Sequence, residues 1–403
     1  MSTMHLSSKS PNARLIAFYL PQFHPIPEND EWWGKGFTEW TNVAKARPLF
    51  PGHYQPHTPA DLGFYDLRVP ETRQAQADLA RQAGIEGFCY WHYWFAGKRL
   101  LERPFNEVLS SGEPDFPFCL GWANQTWSGI WHGAPKRILI EQTYPGPEDH
   151  EKHFYANLPA FQDPRYIRVD GKPLFLIYSP QELPKAEAFF EQWRKLALKN
   201  GLPGIHFVAH LLQSRPDYHP EQLGFDAITV CNPSRIRWGT RFDVALARHN
   251  QVANNGHKRA GLWLKFLATA EAYKEKVRGK YHQLLGYPSS VYDYEDAMLF
   301  FQQADSPCRT VYPSVIPNWD NSPRSGGRAT ILKNSSPELF RRHLREALRQ
   351  AAALPAGRQI VFVKSWNEWA EGNYLEPDLQ FGHQYLDVVR DEVLAGSPPV
   401  AEA

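Results

Sequence analysis

Eight short apolar runs, each followed by polar or aromatic residues, constrain this 403-residue chain more than any other feature. They are Leu15–Leu20, Gly87–Trp91, Phe116–Trp122, Pro173–Tyr178, Ile205–Ala209, Ala227–Cys231, Val311–Ile316 and Ile360–Lys364. β-Branched and aromatic residues follow one another in them without strict polar alternation, the pattern of parallel strands buried on both faces. Amphipathic stretches lie between the runs. Glu71–Ala83 stops before Gly84, Lys185–Lys199 stops at Asn200-Gly201, and Ser336-Pro337 reads as an N-cap followed by a first-turn proline. Strand–helix alternation repeated about eight times predicts an α/β chain folded as a (β/α)8 TIM-type barrel. A doubly wound open sheet is the competing topology, but it normally has fewer strands and often a glycine-rich first turn. No such turn follows Leu20.

Two stretches exceed an idealised barrel: 21–66, rich in Trp, Pro, His and Gly, and 234–306, with helical character around Arg259–Val277 and a Tyr-rich end near Tyr292. Loops of this length are usually functional. Placed after strands, they emerge at the carboxy-terminal end of the barrel and are expected to wall a cleft. The expected organisation is one catalytic domain over 13–395, with flexible termini at 1–12 and 396–403.

Charge is nearly balanced, 44 basic against 43 acidic residues, so the chain carries no electrostatic footprint for nucleic acid or an anionic membrane. Aromatic residues, at 14%, often sit beside polar ones. Flat rings next to hydrogen-bonding groups suit sugars, whose C–H faces stack while their hydroxyls need partners; core packing is the plainer reading of any single ring. Cys89, Cys119, Cys231 and Cys308 are far apart without zinc spacing, and three of them fall in strand-like runs, so buried thiols are expected. The first residues are polar and lack a signal-peptide core, and no apolar stretch reaches the roughly 18 residues of a membrane span. The expectation is a soluble cytoplasmic protein without a membrane span, needing no cofactor and no metal.

The residues that follow the strands carry the chemistry. Pro21–His24 follows the first run, His92–Trp94 the second, Ala123–Trp127 the third, Pro317–Asn321 the seventh and Ser365–Glu371 the eighth. Polar groups interleaved with tryptophan at the same end of several strands point to a ligand site. Within it, Glu368 and Glu371 stand three residues apart among Trp366 and Trp369. Two carboxyl groups are the minimum for cleaving a glycosidic bond, and burial among rings raises the pKa of the one that must stay protonated. Solvated helix faces carry the same spacing, so position after the last strand is what gives it weight. Tyr19, His24, Trp91, His92, Trp94, Trp122, Asn124, Tyr178, His210, Trp319, Asp320, Trp366 and Asn367 are the substrate-binding candidates, with His92 as a hydrogen-bond donor to a hydroxyl. Glu376 is a third carboxylate, of the cleft wall or of the surface. Glu39, Trp40 and Asn42 either close over the cleft or hold their own loop. Asn321–Gly327 either cradles an anion through Arg324 or is an ordered turn.

Two segments, Ile26–Val43 and Trp366–Gly372, resemble the WbsX-like family of bacterial surface-polysaccharide loci, and the likeness spans roughly Ala13–Val393. That family is related to glycoside hydrolase family 99, the endo-α-mannosidases, through the barrel and the Asn-Glu-Trp-x-Glu-Gly turn. What the resemblance implies is a metal-independent barrel acting with retention. Glu371 would be the acid/base at the leaving oxygen, and Glu368 a base on the sugar's own 2-hydroxyl, assisting an anhydro-sugar intermediate. Spacing alone does not distinguish that role from an ordinary nucleophile. The expected activity is a retaining glycoside hydrolase on a polysaccharide or oligosaccharide, at an α-linkage. The alternatives are a glycosyltransferase or transglycosylase in surface-polysaccharide (O-antigen) assembly, and a non-catalytic carbohydrate-binding barrel. Neither a Rossmann-like glycine turn nor an Asp-x-Asp motif supports a nucleotide-sugar transferase.

Overall fold

Every apolar run forms a strand in the computed structural model, which describes residues 13–129, 134–212, 218–233, 288, 290–301 and 310–394. The strands are β1 (Arg14–Tyr19), β2 (Gly87–Phe95), β3 (Phe118–Trp122), β4 (Lys172–Ile177), β5 (His206–Leu211), β6 (Ala227–Val230), β7 in two pieces (Val311–Tyr312 and Ser314–Val315) and β8 (Ile360–Val363). All pair in parallel, each with its neighbours in sequence, and β8 returns to β1 with Arg14 opposite Ile360. β7 is split because Pro313 has no N–H to give a ladder. Its first piece pairs with β6 and its second with β8, while the Pro313 carbonyl still accepts from Phe362 N at 2.9 Å. The ring therefore closes, and the fold is a (β/α)8 TIM-type barrel.

Side-chain parity then sorts the strand residues between two environments, since alternate residues share a face. Phe18 points inward and stacks between Trp91 (4.8 Å) and Phe362 (5.2 Å). Gly121 leaves room for that layer: a Cβ there would meet the Trp91 ring at 3.0 Å. The next residue along, Tyr19, points outward and donates to Gln76. Gln76 lies on α3 (Pro70–Gln82), one of the helices that coat the sheet together with α4 (Arg103–Ser111), α5 (Pro147–Gln162), α6 (Ala186–Lys199), α8 (Pro337–Ala352) and α9 (Gln384–Leu394). The expected caps hold. Gly84 and Gly201 take positive φ after their helices, and Ser336 Oγ accepts from Leu339 N.

The first insertion folds into α1 (Pro27–Trp33) and α2 (Glu39–Lys45) before its chain returns through His53 and Gln55. Most of the second insertion, including Arg259–Val277, lies outside the described residues. Its described end is a strand, Ser290–Asp293, paired in parallel with Thr330–Lys333, and a helix, α7 (Tyr294–Phe301). Cys89, Cys119 and Cys231 are buried and unbridged; Cys308 lies outside the described residues. No helix among the described residues is long and apolar enough to cross a membrane.

Candidate active site

The turn after β8 is buried throughout and tied down at both ends. Trp366 N donates to Phe18 O at 2.7 Å. Asn367 closes a two-way bridge to β1, accepting from Leu20 N at 2.8 Å and donating to Leu20 O at 3.1 Å. At the far end Glu376 accepts from Tyr65 OH (2.9 Å), Gln76 Nε2 (2.6 Å) and Trp369 Nε1 (2.6 Å). It is only 2% exposed, so of the two readings of Glu376 the surface one is excluded. Burial pushes its carboxyl up to about 7 against those donors. Gly372 bends the turn at φ +62°, and a Cβ there would stand 2.8 Å from Asp320 N, whose hydrogen goes to Glu371 O.

Between these anchors Glu368 and Glu371 face one another. Asn373 Nδ2 lies 3.4 Å from an oxygen of each, and the two carboxyl groups are within hydrogen-bonding reach. Their surroundings drive them apart. Burial on its own would raise Glu368, but Lys364, whose ammonium stands 3.3 Å away, and then Arg324 outweigh it and bring the group down to about 2. Burial, followed by the charge of Glu368, pushes Glu371 up to about 7 although Arg324 pulls the other way. Burial and mutual repulsion thus favour a proton on Glu371 rather than on Glu368, beside which Lys364 stands, the direction expected when two buried acids share a site.

Arg324 reaches the pair from the loop after β7. Its Nη1 donates to Glu371 Oε1 at 2.6 Å and its Nη2 to Glu39 Oε1 at 2.7 Å. The segment Asn321–Gly327 is therefore an ordered turn whose guanidinium is engaged by the protein's own carboxylates. Glu39 is fully buried on α2, and the same oxygen accepts from Ala370 N at 3.0 Å. Trp40, beside it, donates to Tyr65 O and packs on Trp369 at 5.5 Å.

The substrate candidates divide by parity. Tyr178 and His210 stack at 4.8 Å, with Trp91 edge-on to Tyr178 at 5.3 Å, and the charges of Lys364 and Glu368 act on both. Burial, then Lys364, lowers His210 to about 3, so it is neutral. Trp319 lies under the Lys364 ammonium at 5.5 Å with its Nε1 unpartnered. These four side chains gather around the glutamates. Others are placed elsewhere. Tyr19 faces α3, and His92 faces α5, with its Nε2 2.8 Å from His153 Nε2 and burial lowering it well below the usual imidazole range. Trp94 donates to Asp149 and stacks on His153, and Trp122 packs on Phe189. Asn124 is occupied by Ser179 and Tyr144, and Asn367 by Leu20. Trp366 packs against Phe88 behind the sheet. Asp320 accepts from Gln55 Nε2 and pairs with His53, both at 2.7 Å, fastening the first insertion to the β7 loop. His24 is buried among Asp66, Arg68 and Arg103. Lys364, Ser365, Asn373 and Tyr93 were not among the candidates. A lysine ending the apolar run Ile360–Val363 was the one available signal, since a buried charge needs a partner.

Fold and site together define a (β/α)8-barrel protein with a paired-carboxyl centre at the carboxy-terminal end of its strands. The chain belongs to the family described as Glycosyltransferase WbsX, which it matches over residues 15–389. Two curated relatives from strains of Xanthomonas campestris pv. campestris, both described as "Uncharacterized protein WxcX", are each 38% identical over 391 residues. The alignments cover 96% of this chain and 50% of each relative, so the chain spans about half the length of the curated relatives it matches. Among solved structures, one described as a glycoside hydrolase-like protein superimposes with a TM-score of 0.52 at 16% identity, covering 96% of this chain and 95% of that one. The GH99 endo-alpha-mannosidase from Bacteroides thetaiotaomicron does so with a TM-score of 0.51 at 14% identity, covering 95% and 96%. At these identities the likeness is one of fold.

Proposed function

We propose that the chain is a retaining glycoside hydrolase acting on a polysaccharide or oligosaccharide, at an α-linkage. The observation that carries this reading is the placement of two carboxyl groups in one buried turn, Asn373 Nδ2 3.4 Å from each and Lys364 3.3 Å from Glu368. Burial raises Glu371 while Lys364 lowers Glu368, which favours a protonated acid beside an ionised one. Glycosidic cleavage needs both forms at once: an acid to give a proton to the leaving oxygen and a carboxylate to act on the sugar. Glu371 supplies the acid. Glu368, acting as the WbsX and family 99 resemblance implies, takes the proton of the 2-hydroxyl while that oxygen displaces the leaving group from C1. Water then opens the anhydro sugar with Glu371 as base, and O2 regains its proton from Glu368. Two displacements give net retention. Tyr178, His210, Trp91 and Trp319 form the sugar-binding wall in this reading.

One observation favours a second route for the same site. A carboxylate held near 2 is a weak base but leaves C1 readily, so direct attack by Glu368 through a glycosyl-enzyme competes with the anhydro route. Substrates lacking the 2-hydroxyl separate the two, because only direct attack turns them over. The family description raises transfer to a sugar hydroxyl as the remaining alternative.

The test is incubation with a panel of α-mannans and bacterial surface polysaccharides, with and without nucleotide sugars, beside Glu368→Gln and Glu371→Gln. We expect reducing ends without any nucleotide sugar, first products of the substrate's own anomeric configuration by NMR, and losses of about 100-fold or more in each variant. Full activity in either variant, or products formed only with a nucleotide sugar, would sink the hydrolase reading.

A further inference from the structure

Arg324 is more than a counter-ion to the acid. We propose that Glu39 and Arg324 are positioning residues of the proposed reaction: the guanidinium is divided between two carboxyl groups, and Glu39 sets how much of it Glu371 receives. The inference rests on the hydrolase reading for its chemistry and on geometry for its substance.

An arginine facing a lone carboxylate normally engages it with two parallel N–H bonds, which fixes the acid in its ionised form. Here the fork is split. One nitrogen serves Glu371 Oε1 and another serves Glu39 Oε1, at 2.6 and 2.7 Å. The second oxygen of Glu371 is thereby left to Asn373 and Glu368, so a proton carried there lies on the side of Glu368, away from the guanidinium. Glu39 is an expensive way to divide a guanidinium. It is wholly buried, and among the described residues its Oε2 has no hydrogen-bond partner and its one other donor is Ala370 N, next to Glu371 in the chain. Buried ion pairs seldom repay their desolvation as stability, so a pair built on an unsatisfied carboxylate oxygen calls for another use. The groups that face Glu371 are Glu368 from its own turn, Lys364 from the end of β8, Arg324 from the β7 loop, Tyr178 after β4 and Cys231 after β6, with Glu39 of α2 behind Arg324. Only Arg324 among them touches a carboxylate contributed by the first insertion.

The pair makes opposed predictions that a merely structural role does not. Arg324→Met removes the cation, so Glu371 titrates higher. Glu39→Gln keeps the shape and the oxygen shared by Ala370 N and Arg324 but removes the negative charge that competes for the guanidinium, so Glu371 titrates lower. Arg324→Lys retains the charge and stays closer to wild type. Glu371 is followed by carboxyl NMR of protein labelled with 13C at glutamate Cδ, assigned from Glu371→Gln, and in parallel by the alkaline limb of the pH–rate profile. Shifts of about one pH unit in opposite directions are expected. Shifts in the same direction, or none in Glu39→Gln, overturn the proposal. Should Arg324→Met fail to fold, the near-isosteric Glu39→Gln decides alone. The NMR titration needs no turnover. Opposed shifts in a protein that cleaves none of the glycans support the pair and count against the hydrolase reading.

Discussion

At the scale of the residue, the chain stores protons in buried acids, and this fixes how its stability responds to pH. Glu371 and Glu376 are both raised from the usual carboxylate value to about 7. Between about pH 4.5 and 7 the folded state holds protons that the unfolded state has lost, so their contribution is fully present below that window and declines as pH rises through it. Glu368 acts in the opposite sense: lowered to about 2, its contribution is present above 4.5 and lost on acidification. Buried histidines held neutral, His92 and His210 among them, act in the opposite sense up to about pH 6.5. The glutamate contribution is therefore read as a difference: Glu376→Gln should make the slope of melting temperature against pH more positive between about pH 5 and 7 while leaving the limb below pH 4.5. An unchanged slope in Glu376→Gln would show that this carboxyl is ionised in the folded state. The glutamates themselves were legible in the sequence because their turn follows the last apolar run. The binding candidates were less so. Standing at a strand end does not decide whether a side chain enters the cleft; parity does. Trp91 and His92 are adjacent, yet one lines the barrel interior and the other lies on α5.

At the scale of the element, the turn that carries Glu368 and Glu371 is shaped by a close passage of two loops. Gly372 at φ +62° lets Asp320 N come within reach of Glu371 O. Gly372→Ala strains that conformation and inserts a methyl group 2.8 Å from a backbone nitrogen. The expected outcome is a destabilisation of about 1–3 kcal/mol by urea unfolding, together with a lowered turnover that restoring glycine reverses. Stability equal to wild type would mean that the β7 loop gives way without cost. The first insertion stood out by its length and composition, and Glu39 and Arg324 were each noticed. Their pairing was not readable, since it joins positions 285 residues apart through geometry that no local pattern encodes. Val311–Ile316 likewise reads as one unbroken strand; Pro313 divides it, while its carbonyl stays in the ladder.

For the whole molecule, the eight apolar runs specified the barrel because parallel strands covered on both faces have almost no other way to bury them. The aromatic layer around Phe18 fills the interior; Cys89 and Cys119 lie in the same core and Cys231 in a second cluster with Ile316 and Trp319, all three with no accessible surface. Burial also pushes the Cys231 thiol up to about 11. In a Cys308→Ser background these three thiols should resist a thiol reagent in native buffer and react together across the urea transition that far-UV circular dichroism reports. Labelling of any of them well before that transition would place an opening within the barrel itself. The second insertion, by contrast, gave a helical expectation at Arg259–Val277 that falls outside the described residues.

The bridge from Asn367 to Leu20 joins positions 347 residues apart. A ribosome translating this chain has therefore made every strand of the barrel before the acids can be set in place. No nascent chain that ends before Asn367 can make this bridge. Synthesis and assembly of the paired acids are thereby separated in time.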